Sequence, residues 1–538
     1  MKRFGVMLDM SRNAVMKVSE VKKLVSLLKS FGYNTVMLYT EETYEVENEP
    51  YFGYLRGRYS VEEIKEIVDY CNGIDVEVIP CFQTLAHLNI FRWNPYFEIR
   101  DCNDILLVDE ERTYTLIENI FKTIRKCYTS EYAHIGFDEA MMVGLGKYFR
   151  KHGFQNRFEI ISKHLNRVIE IAKKYNFKPL IWSDMYFRLA NDMEYYPPEP
   201  VITEEVKALI PKEVGLVYWD YYHKGQDYYE KMFKAHKSAE TEVWFAGGAW
   251  TWNGFSGSNK ESFDTMLPAM KGAINQGIEN IIITMWGDNG KECSFYQVLP
   301  SLYAIKRFSE GEYDLDKIKQ EFNQKTGEDF DSMFSFDDVN SVDSNVGGKD
   351  WNCNNPCKYM LYCDPFLGFY DSTLINDNQK YYEDLSIHYE KCAKLSKNYG
   401  YIFERHSKLA KVLSLKYYIG VRTRNAYQSG DIASLKNIVL DYEKIVKYLE
   451  EFHLAFSNLW YKENKGNGFE VHDVRLGGII QRVKTCKARL ELYIDGKINK
   501  IEELEENILD IYGKADEHQK KSVYGNTWSI TASPNIIG

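Results

Sequence analysis

Eight short apolar runs punctuate the first part of the chain: "FGVMLDM", "TVMLYTE", "VEVIPCF", "YAHIGFDE", "KPLIWSD", "GLVYWDY", "EVWFAGGAW" and "NIIITMWGD". Most are separated by segments whose apolar residues recur at a 3.6-residue period, such as "VSEVKKLVSLLKSFGY" and "FEIISKHLNRVIEIAKKYN". Eight strand–helix units of this size predict an α/β fold, a (β/α)8 TIM barrel spanning residues 1–310. After about residue 310 the period changes to long amphipathic stretches, and a mainly α-helical C-terminal domain is expected over 311–538. Within it, "HSKLAKVLSLKYYIGVRTRNAYQSG" and "DIASLKNIVLDYEKIVKYLEEFHLAF" read as two antiparallel helices broken at Ser429-Gly430. In "GNGFEVHDVRLGGIIQR", Asp473 and Arg475 stand between apparent turn glycines and read as a structural salt bridge. The helical domain has three roles open to it: bracing the barrel, supplying a loop to the site, or forming a homodimer surface.

The strand ends carry the unusual residues: Asp9, Glu41, Glu42, Asp138, Glu139, Trp182, Asp184, Trp219, Asp220, Trp250, Trp252, Trp286 and Asp288. In a barrel these converge on the C-terminal face, where such folds place their chemistry. Adjacent acids alone say little, since Asp109-Glu110 and Asp516-Glu517 are also present. Asp138 and Glu139 differ in their lead-in, a run apolar on both faces that belongs in a buried parallel sheet. Neighbours on a flat strand point to opposite faces, so both acids reach one ligand only where the strand ends or bulges. Two carboxylates inside a ring of indoles suggest glycoside cleavage, with Trp faces stacked on a sugar. The usual two-carboxylate schemes need separations of about 5–5.5 Å or about 6.5–9.5 Å across the scissile bond. Consecutive residues fit better if one acid transfers the proton and the other holds a substrate group that acts as nucleophile.

Composition narrows the partners. With 538 residues and a formal charge of −11, the chain offers no basic surface for nucleic acid or anionic lipid. Aromatic residues make up 15%, including 41 Tyr and 10 Trp, enough for stacking surfaces beyond those that fill the core. The opening "MKRFGVMLDM" reaches Asp9 too soon for a secretory apolar core, and no run of 18 apolar residues predicts a membrane span. Ten scattered cysteines suit reduced thiols and a cytoplasmic location. Cys353, Cys357 and Cys363 have a spacing that could hold zinc, but no His or fourth Cys stands close, so no metal is expected.

The run "HIGFDEA" resembles the His-x-Gly-x-Asp-Glu motif of family 20 glycoside hydrolases, the β-N-acetylhexosaminidases. "GVMLDMSRN", "YTEETYE", "LAHLNI", "LIWSD", "YWD" and "TMWGDN" resemble, in order, that family's first, second, third, fifth, sixth and eighth strand regions, so the likeness covers roughly residues 1–310. It implies exo-hydrolysis of terminal, non-reducing β-linked N-acetylglucosamine or N-acetylgalactosamine from an oligosaccharide or glycoconjugate, with no cofactor. Catalysis would be substrate-assisted, the sugar's own acetamido oxygen acting as nucleophile through an oxazolinium intermediate. Asp138 would orient the acetamido group and Glu139 would be the general acid and base. The resemblance also implies supporting roles for His134, His87 and Glu41, a pocket lined by Trp182, Trp219 and Trp286 and joined by Trp250 or Trp252, and hydroxyl binding by Asp288.

Two departures stand out. The family's first-strand Arg, which grips sugar hydroxyls, is matched here by Phe4 with Arg3 beside it, which predicts tolerance of both gluco and galacto configurations. The seventh-strand Tyr is missing, and Tyr221 is the expected substitute. With the first strand beginning at about residue 4, the family's small α/β domain before the barrel is not expected. Rival readings are a substrate-assisted hexosaminidase of another family acting on O-linked N-acetylglucosamine of proteins, and a sugar-binding barrel without catalysis. The His-to-Glu spacing argues against the first, and retention of both acids against the second.

Overall fold

The computed structural model describes residues 1–342, 355–513 and 527–537. Eight parallel strands close into a barrel in sequence order: β1 (Arg3–Asp9), β2 (Thr35–Glu41), β3 (Glu77–Phe82), β4 (Tyr132–His134), β5 (Lys178–Trp182), β6 (Gly215–Trp219), β7 (Val243–Gly248) and β8 (Asn280–Met285). Each lies inside one of the apolar runs, because a strand covered by helices outside and side chains inside has no polar face to show. Met7, Met37, Tyr39, Ile79, Leu180, Trp182, Val217 and Ile282 belong to the packed interior, and Trp219 and Trp286 pack against it.

Two strands depart from the simple pattern near their C-terminal ends. β4 is only three residues long and is joined to β3 by the single pair Cys81↔His134. The strand-like run "YAHIGFDE" therefore leaves the sheet after His134, earlier than its apolar pattern suggests, because Gly136 and Phe137 take positive φ of 82° and 78°. On β2 the register with β3 slips between Tyr39 and Glu41, a bulge that re-aims Glu41.

The chain forms two compact units. The first comprises Met1–Ala249, Ser262–Trp286 and Ser301–Ile318; the second comprises Trp250–Glu261, Gly287–Pro300 and Lys319–Gly538. The segments that follow β7 and β8 are thus counted with the helical unit.

In that unit the longest helices are Ile432–Glu463 and Glu470–Ile494. The expected break at Ser429-Gly430 is present, with Gly430 at φ 68°. The stretch before it is two helices rather than one, Gly400–Lys416 and Ile419–Gln428, parted at Tyr417-Tyr418. The supposed turn glycines Gly477 and Gly478 lie inside the helix Glu470–Ile494. Asp473 and Arg475 do not pair: Asp473 meets His453 at 2.6 Å, whereas Arg475 meets Glu292 at 3.3 Å. Two positions on a helix point apart, so an i,i+2 pair was the wrong expectation.

No described helix is long and apolar enough to cross a membrane. Among the described residues no group of His, Cys, Asp and Glu is arranged to hold a metal. Cys353 lies outside the described residues, and Cys357 and Cys363 are buried free thiols.

Candidate active site

The turn after β4 explains each letter of its motif. Ile135 donates its N–H to Leu180 O at 2.9 Å and the Gly136 carbonyl accepts from Trp182 N at 3.0 Å, so the chain stays tied to β5 beyond the end of the strand. His134 Nδ1 accepts the Gly136 N–H at 3.2 Å, fixing the start of the turn. Gly136 is required twice: its φ is left-handed, and a Cβ there would stand 1.8 Å from Gln83 Oε1. Glu139 is also left-handed, φ 51°, a strained conformation for a non-glycine residue, and its N–H is held by Asp184 Oδ2 at 3.1 Å. The turn thereby carries both acids out of strand alternation.

Asp138 and Glu139 then find different surroundings. Asp138 Oδ1 accepts from Gln83 Nε2 at 2.9 Å, and Oδ2 is 3.3 Å from His87 Nε2. Burial works to raise the Asp138 pKa, yet His87 and Gln83 outweigh it and hold the carboxyl below its ordinary value. Glu139 is pushed upward, by burial first and by the Asp138 charge second, against the pull of His87 3.6 Å away. About half of the Glu139 side chain is open to the mouth, which tempers the effect of burial. The pair therefore favours one ionised and one protonated carboxyl, the split that acid catalysis beside a charge stabiliser requires.

His87 is the hinge of this arrangement. Burial disfavours its charged form, but Asp138 foremost and Glu41 behind it raise its pKa to about 10. Glu41 is itself buried and raised, mainly by desolvation; it accepts from Tyr39 OH at 2.9 Å and pairs with Arg12 at 3.3 Å. His134 is different: fully buried, 4.3 Å ring to ring from Trp182, and lowered by burial to about 3, it is neutral and acts through the backbone.

The indoles of the barrel close its top. Trp182 lies 6.0 Å from Trp286, whose ring meets Tyr39 edge-on at 4.8 Å. Trp286 Nε1 donates to Tyr221 OH at 3.1 Å, and the Tyr221 ring stacks on Trp219 at 5.7 Å. Trp219 is anchored by two tyrosines, its N–H on Tyr195 OH at 3.1 Å and its carbonyl accepting from Tyr196 OH at 2.9 Å. Trp250, Trp252 and Asp288 belong to the second unit. There the two indoles stack on each other at 4.3 Å and are buried. Asp288 opens a turn in which Asn289, Gly290 and Lys291 all have positive φ.

The matching of the first-strand Arg to Phe4 needs correction. Phe4 is the second residue of β1, buried against Tyr33 at 5.0 Å, and Arg3 pairs with Glu77 at 2.7 Å. Both lie at the N-terminal end of the strand, opposite the chemistry. At the other end Asp9 Oδ1 accepts from Ser11 N and Arg12 N, a turn that brings Arg12 to Glu41. Arg12, Tyr39, Gln83 and Asp184 are the residues that sequence reasoning left without roles. Arg12 was visible in "LDMSRN" as the first cation beyond a strand end; Gln83 and Asp184 occupy the first or second position after β3 and β5.

Buried polar atoms without a hydrogen-bond partner among the described residues gather around this mouth: Glu41 Oε2, Gln83 Oε1, His134 Nε2, Trp182 Nε1 and Asp184 Oδ1. Such atoms destabilise a fold unless satisfied, and these are groups that a bound ligand could meet.

A closed parallel barrel whose C-terminal mouth combines a divided carboxyl pair with a cage of indoles has the layout of a glycoside hydrolase. The model of the glycosyl hydrolase family 20 catalytic domain matches residues 3–271, and that of the glycoside hydrolase 20C C-terminal domain matches 328–524. The chain belongs to glycosyl hydrolase family 20. Among curated proteins it resembles hexosaminidase D of Homo sapiens, 25% identical over 225 residues, which are 39% of this chain and 43% of the human protein. Hexosaminidase D of Bos taurus is 24% identical over 39% of this chain and 60% of that protein. The match thus spans less than two thirds of either relative. Among solved structures, the exo-β-N-acetylglucosaminidase of Vibrio harveyi shares 15% identity at a TM-score of 0.46, over 61% of this chain and 58% of that one. The β-N-acetylhexosaminidase of Bacteroides fragilis NCTC 9343 shares 18% identity at 0.46, over 60% and 69%. At those scores neither adds to the strand order already described.

Proposed function

We propose that the protein is an exo-β-N-acetylhexosaminidase that removes terminal, non-reducing β-linked N-acetylglucosamine or N-acetylgalactosamine with retention of configuration. The observation that carries this reading is the division of the adjacent carboxyls: Asp138 is held below its ordinary pKa by His87 and Gln83, and Glu139 is raised. Family membership and the hexosaminidase relatives support it.

In the first step the acetamido carbonyl oxygen of the bound sugar attacks C1. The C1–O bond to the leaving group breaks, and Glu139 gives its proton to the departing oxygen. Asp138 accepts the acetamido N–H and stabilises the positive charge that develops on the oxazolinium ring. In the second step Glu139, now a carboxylate, takes a proton from water while the water oxygen bonds to C1 and the ring C–O bond opens. Two inversions give net retention. No protein nucleophile is needed, which is why consecutive acids suffice. Trp182, Trp219 and Trp286 would present apolar faces to the acetamido methyl and the pyranose, Tyr221 would hydrogen-bond the acetamido oxygen, and Arg12 would read the ring hydroxyls. Free thiols at nine described cysteines, eight of them buried, suit a reducing, cytoplasmic setting.

The deciding experiment is hydrolysis of chromogenic β-N-acetylglucosaminide, β-N-acetylgalactosaminide and plain β-glucoside, with and without a thiazoline mimic of the oxazolinium. Cleavage of acetamido sugars alone, blocked by the mimic, is expected, and their ratio reports how the site treats the 4-hydroxyl. Cleavage of the plain glucoside at a comparable rate would reassign Asp138 and Glu139.

A further inference from the structure

The loops that deliver Glu41 and His87 to the mouth also carry three large rings that remain open to solvent. Tyr51 and Tyr54, on the loop after β2, are 42% and 43% exposed, and Trp93, on the loop after β3, is half-buried. The rings meet one another: Tyr54 and Trp93 at 5.2 Å and 63°, Tyr51 and Trp93 at 5.9 Å and 37°, Tyr51 and Tyr54 at 5.9 Å and 80°. Three aromatic side chains standing in water forgo the burial that stabilises such residues elsewhere. A patch of this kind on the active face of a barrel calls for an occupant.

The loop that bears them is pinned, so the rings are presented rather than left to drift. Beneath them Phe52 is fully buried, and Glu49, also buried, takes both prongs of Arg112 at 2.8 and 2.6 Å. Gly53 adopts φ 64°, and a Cβ there would stand 2.1 Å from the Glu42 carbonyl, so this turn lies directly against the residue that follows Glu41. Arg56 ties the same loop to the mouth, donating to the Glu42 carboxylate and to the carbonyl of Ser11, the residue before Arg12. On the other side Trp93 follows His87 by six positions on a loop held by Leu88 N on Asp104 O at 3.2 Å and His87 N on Asp104 Oδ2 at 3.1 Å. His87 is within 3.3 Å of Asp138 and 3.6 Å of Glu139. The trio therefore stands on the two loops that also carry Glu42 and His87.

We propose that Tyr51, Tyr54 and Trp93 form a stacking subsite for the saccharide on the leaving-group side of the scissile bond, so that the preferred substrate is an extended, uncharged β-linked oligosaccharide or glycan rather than a simple glycoside. The proposal rests on the hexosaminidase reading above. Rings already arranged stack on a sugar's C–H face with little loss of freedom, since the loop is ordered before the ligand arrives.

The test compares tri-N-acetylchitotriose with methyl β-N-acetylglucosaminide. Both release an alcohol of similar leaving ability, but the methyl group is too small to reach the trio. Trp93→Ala is expected to lower kcat/KM for the trimer about tenfold, mainly through KM, and to leave the methyl glycoside within about twofold; tenfold corresponds to about 1.4 kcal/mol. Trp93→Phe, which keeps a ring, is expected to recover most of the loss, and the Tyr51→Ala, Tyr54→Ala double variant to lose as much as Trp93→Ala. Equal losses on both substrates would mean that Trp93 braces the His87 loop, and no loss on either would mean a bare surface; each overturns the subsite. A change of mass in sedimentation with unchanged rates would assign the patch to contact between copies, which also overturns it. If the wild-type protein cleaves neither substrate, the hexosaminidase reading fails, and calorimetric binding of the trimer to wild type and Trp93→Ala still decides the subsite: equal affinity, or none, removes it.

Discussion

Two turns at the ends of barrel strands, the one after β4 and the one after β8, use the same backbone device for different ends. Both run through consecutive left-handed residues, Gly136 and Phe137 in the first, Asn289, Gly290 and Lys291 in the second, and both carry carboxyl groups. The second is held by donors and cations of its own unit. Arg475 donates to the Asn289 carbonyl at 2.5 Å, His472 Nε2 to the Gly290 carbonyl at 2.8 Å, and the fully buried Glu292 meets Lys358 at 2.7 Å and Arg475 at 3.3 Å. The first is held by the acceptors His134 Nδ1 and Asp184 Oδ2 and by the donors Trp182 N and Gln83 Nε2, and His87 is the cation that meets both acids. A turn whose charges are matched keeps its shape, whereas a turn short of positive charge also keeps a proton. Burial first and the Asp138 charge second give Glu139 its raised pKa, against the pull of the nearby cations, and make the first turn reactive where the second is only rigid.

The largest effect should come from removing that proton. Glu139→Gln cannot protonate a leaving alkoxide, and general acid catalysis is worth about 10²–10⁴-fold. Turnover of an alkyl or sugar glycoside is expected to fall by about 10³-fold, with a much smaller fall for a nitrophenyl glycoside whose leaving group needs no proton. A uniform fall on both substrates would show that the acid has been misplaced. The matching experiment on the second turn reads stability instead. Lys358→Met leaves Glu292 buried with one partner fewer, and breaking a buried pair in this way costs about 3–5 kcal/mol. Urea unfolding should show that loss; a change below about 1 kcal/mol, the scale of a surface pair, would mean that the pair is not the restraint.

Much of this contrast was invisible in the pattern of apolar residues. The eight runs located all eight strands, because burial on both faces writes itself directly into composition. The same pattern overran β4, since "IGFDE" is apolar enough to continue a strand while positive φ at Gly136 and Phe137 ends it. The motif residues were legible as a likeness, but the reason for its Gly, a Gln83 side chain where a Cβ would stand, belongs to another loop. Arg12 was missed by matching along the strand instead of asking which end of the barrel a residue occupies. The break at Tyr417-Tyr418 had no signal, for neither residue interrupts a helix by its own chemistry.

His87 tests whether the cation that meets both acids sets their protonation states. Its pKa is raised to about 10, so its contribution to stability is complete below its ordinary value near 6.5 and is lost as pH rises through about 10. Asp138, which is depressed, contributes stability above its ordinary value near 3.9 that is lost as pH falls through its lower native value. His87→Asn removes the charge that lowers both acids, so Asp138 and Glu139 should each move up. The acid limb of kcat/KM, which needs Asp138 ionised, and the basic limb, which needs Glu139 protonated, should therefore shift together to higher pH. A profile that keeps its limbs while losing height would show that His87 shapes the mouth without charging it.

The smallest effect is the most specific to the first turn. Asp184 is fully buried, raised to about 7 by burial and then by Asp138, and holds the Glu139 N–H while Arg188 stands 3.6 Å from the same oxygen. Its work is to accept one hydrogen bond in a strained turn, so Asp184→Asn, which keeps an acceptor oxygen, should retain most of the rate. Asp184→Ala leaves the Glu139 N–H without its acceptor, and losing a bond of this kind is expected to lower kcat for alkoxide leaving groups about tenfold. Because the acid alone is displaced, the loss should shrink for nitrophenyl glycosides, as it does for Glu139→Gln. If Asn were as damaging as Ala, the charge of Asp184 rather than its acceptor would matter, and the first turn would depend on a negative charge where the second depends on positive ones.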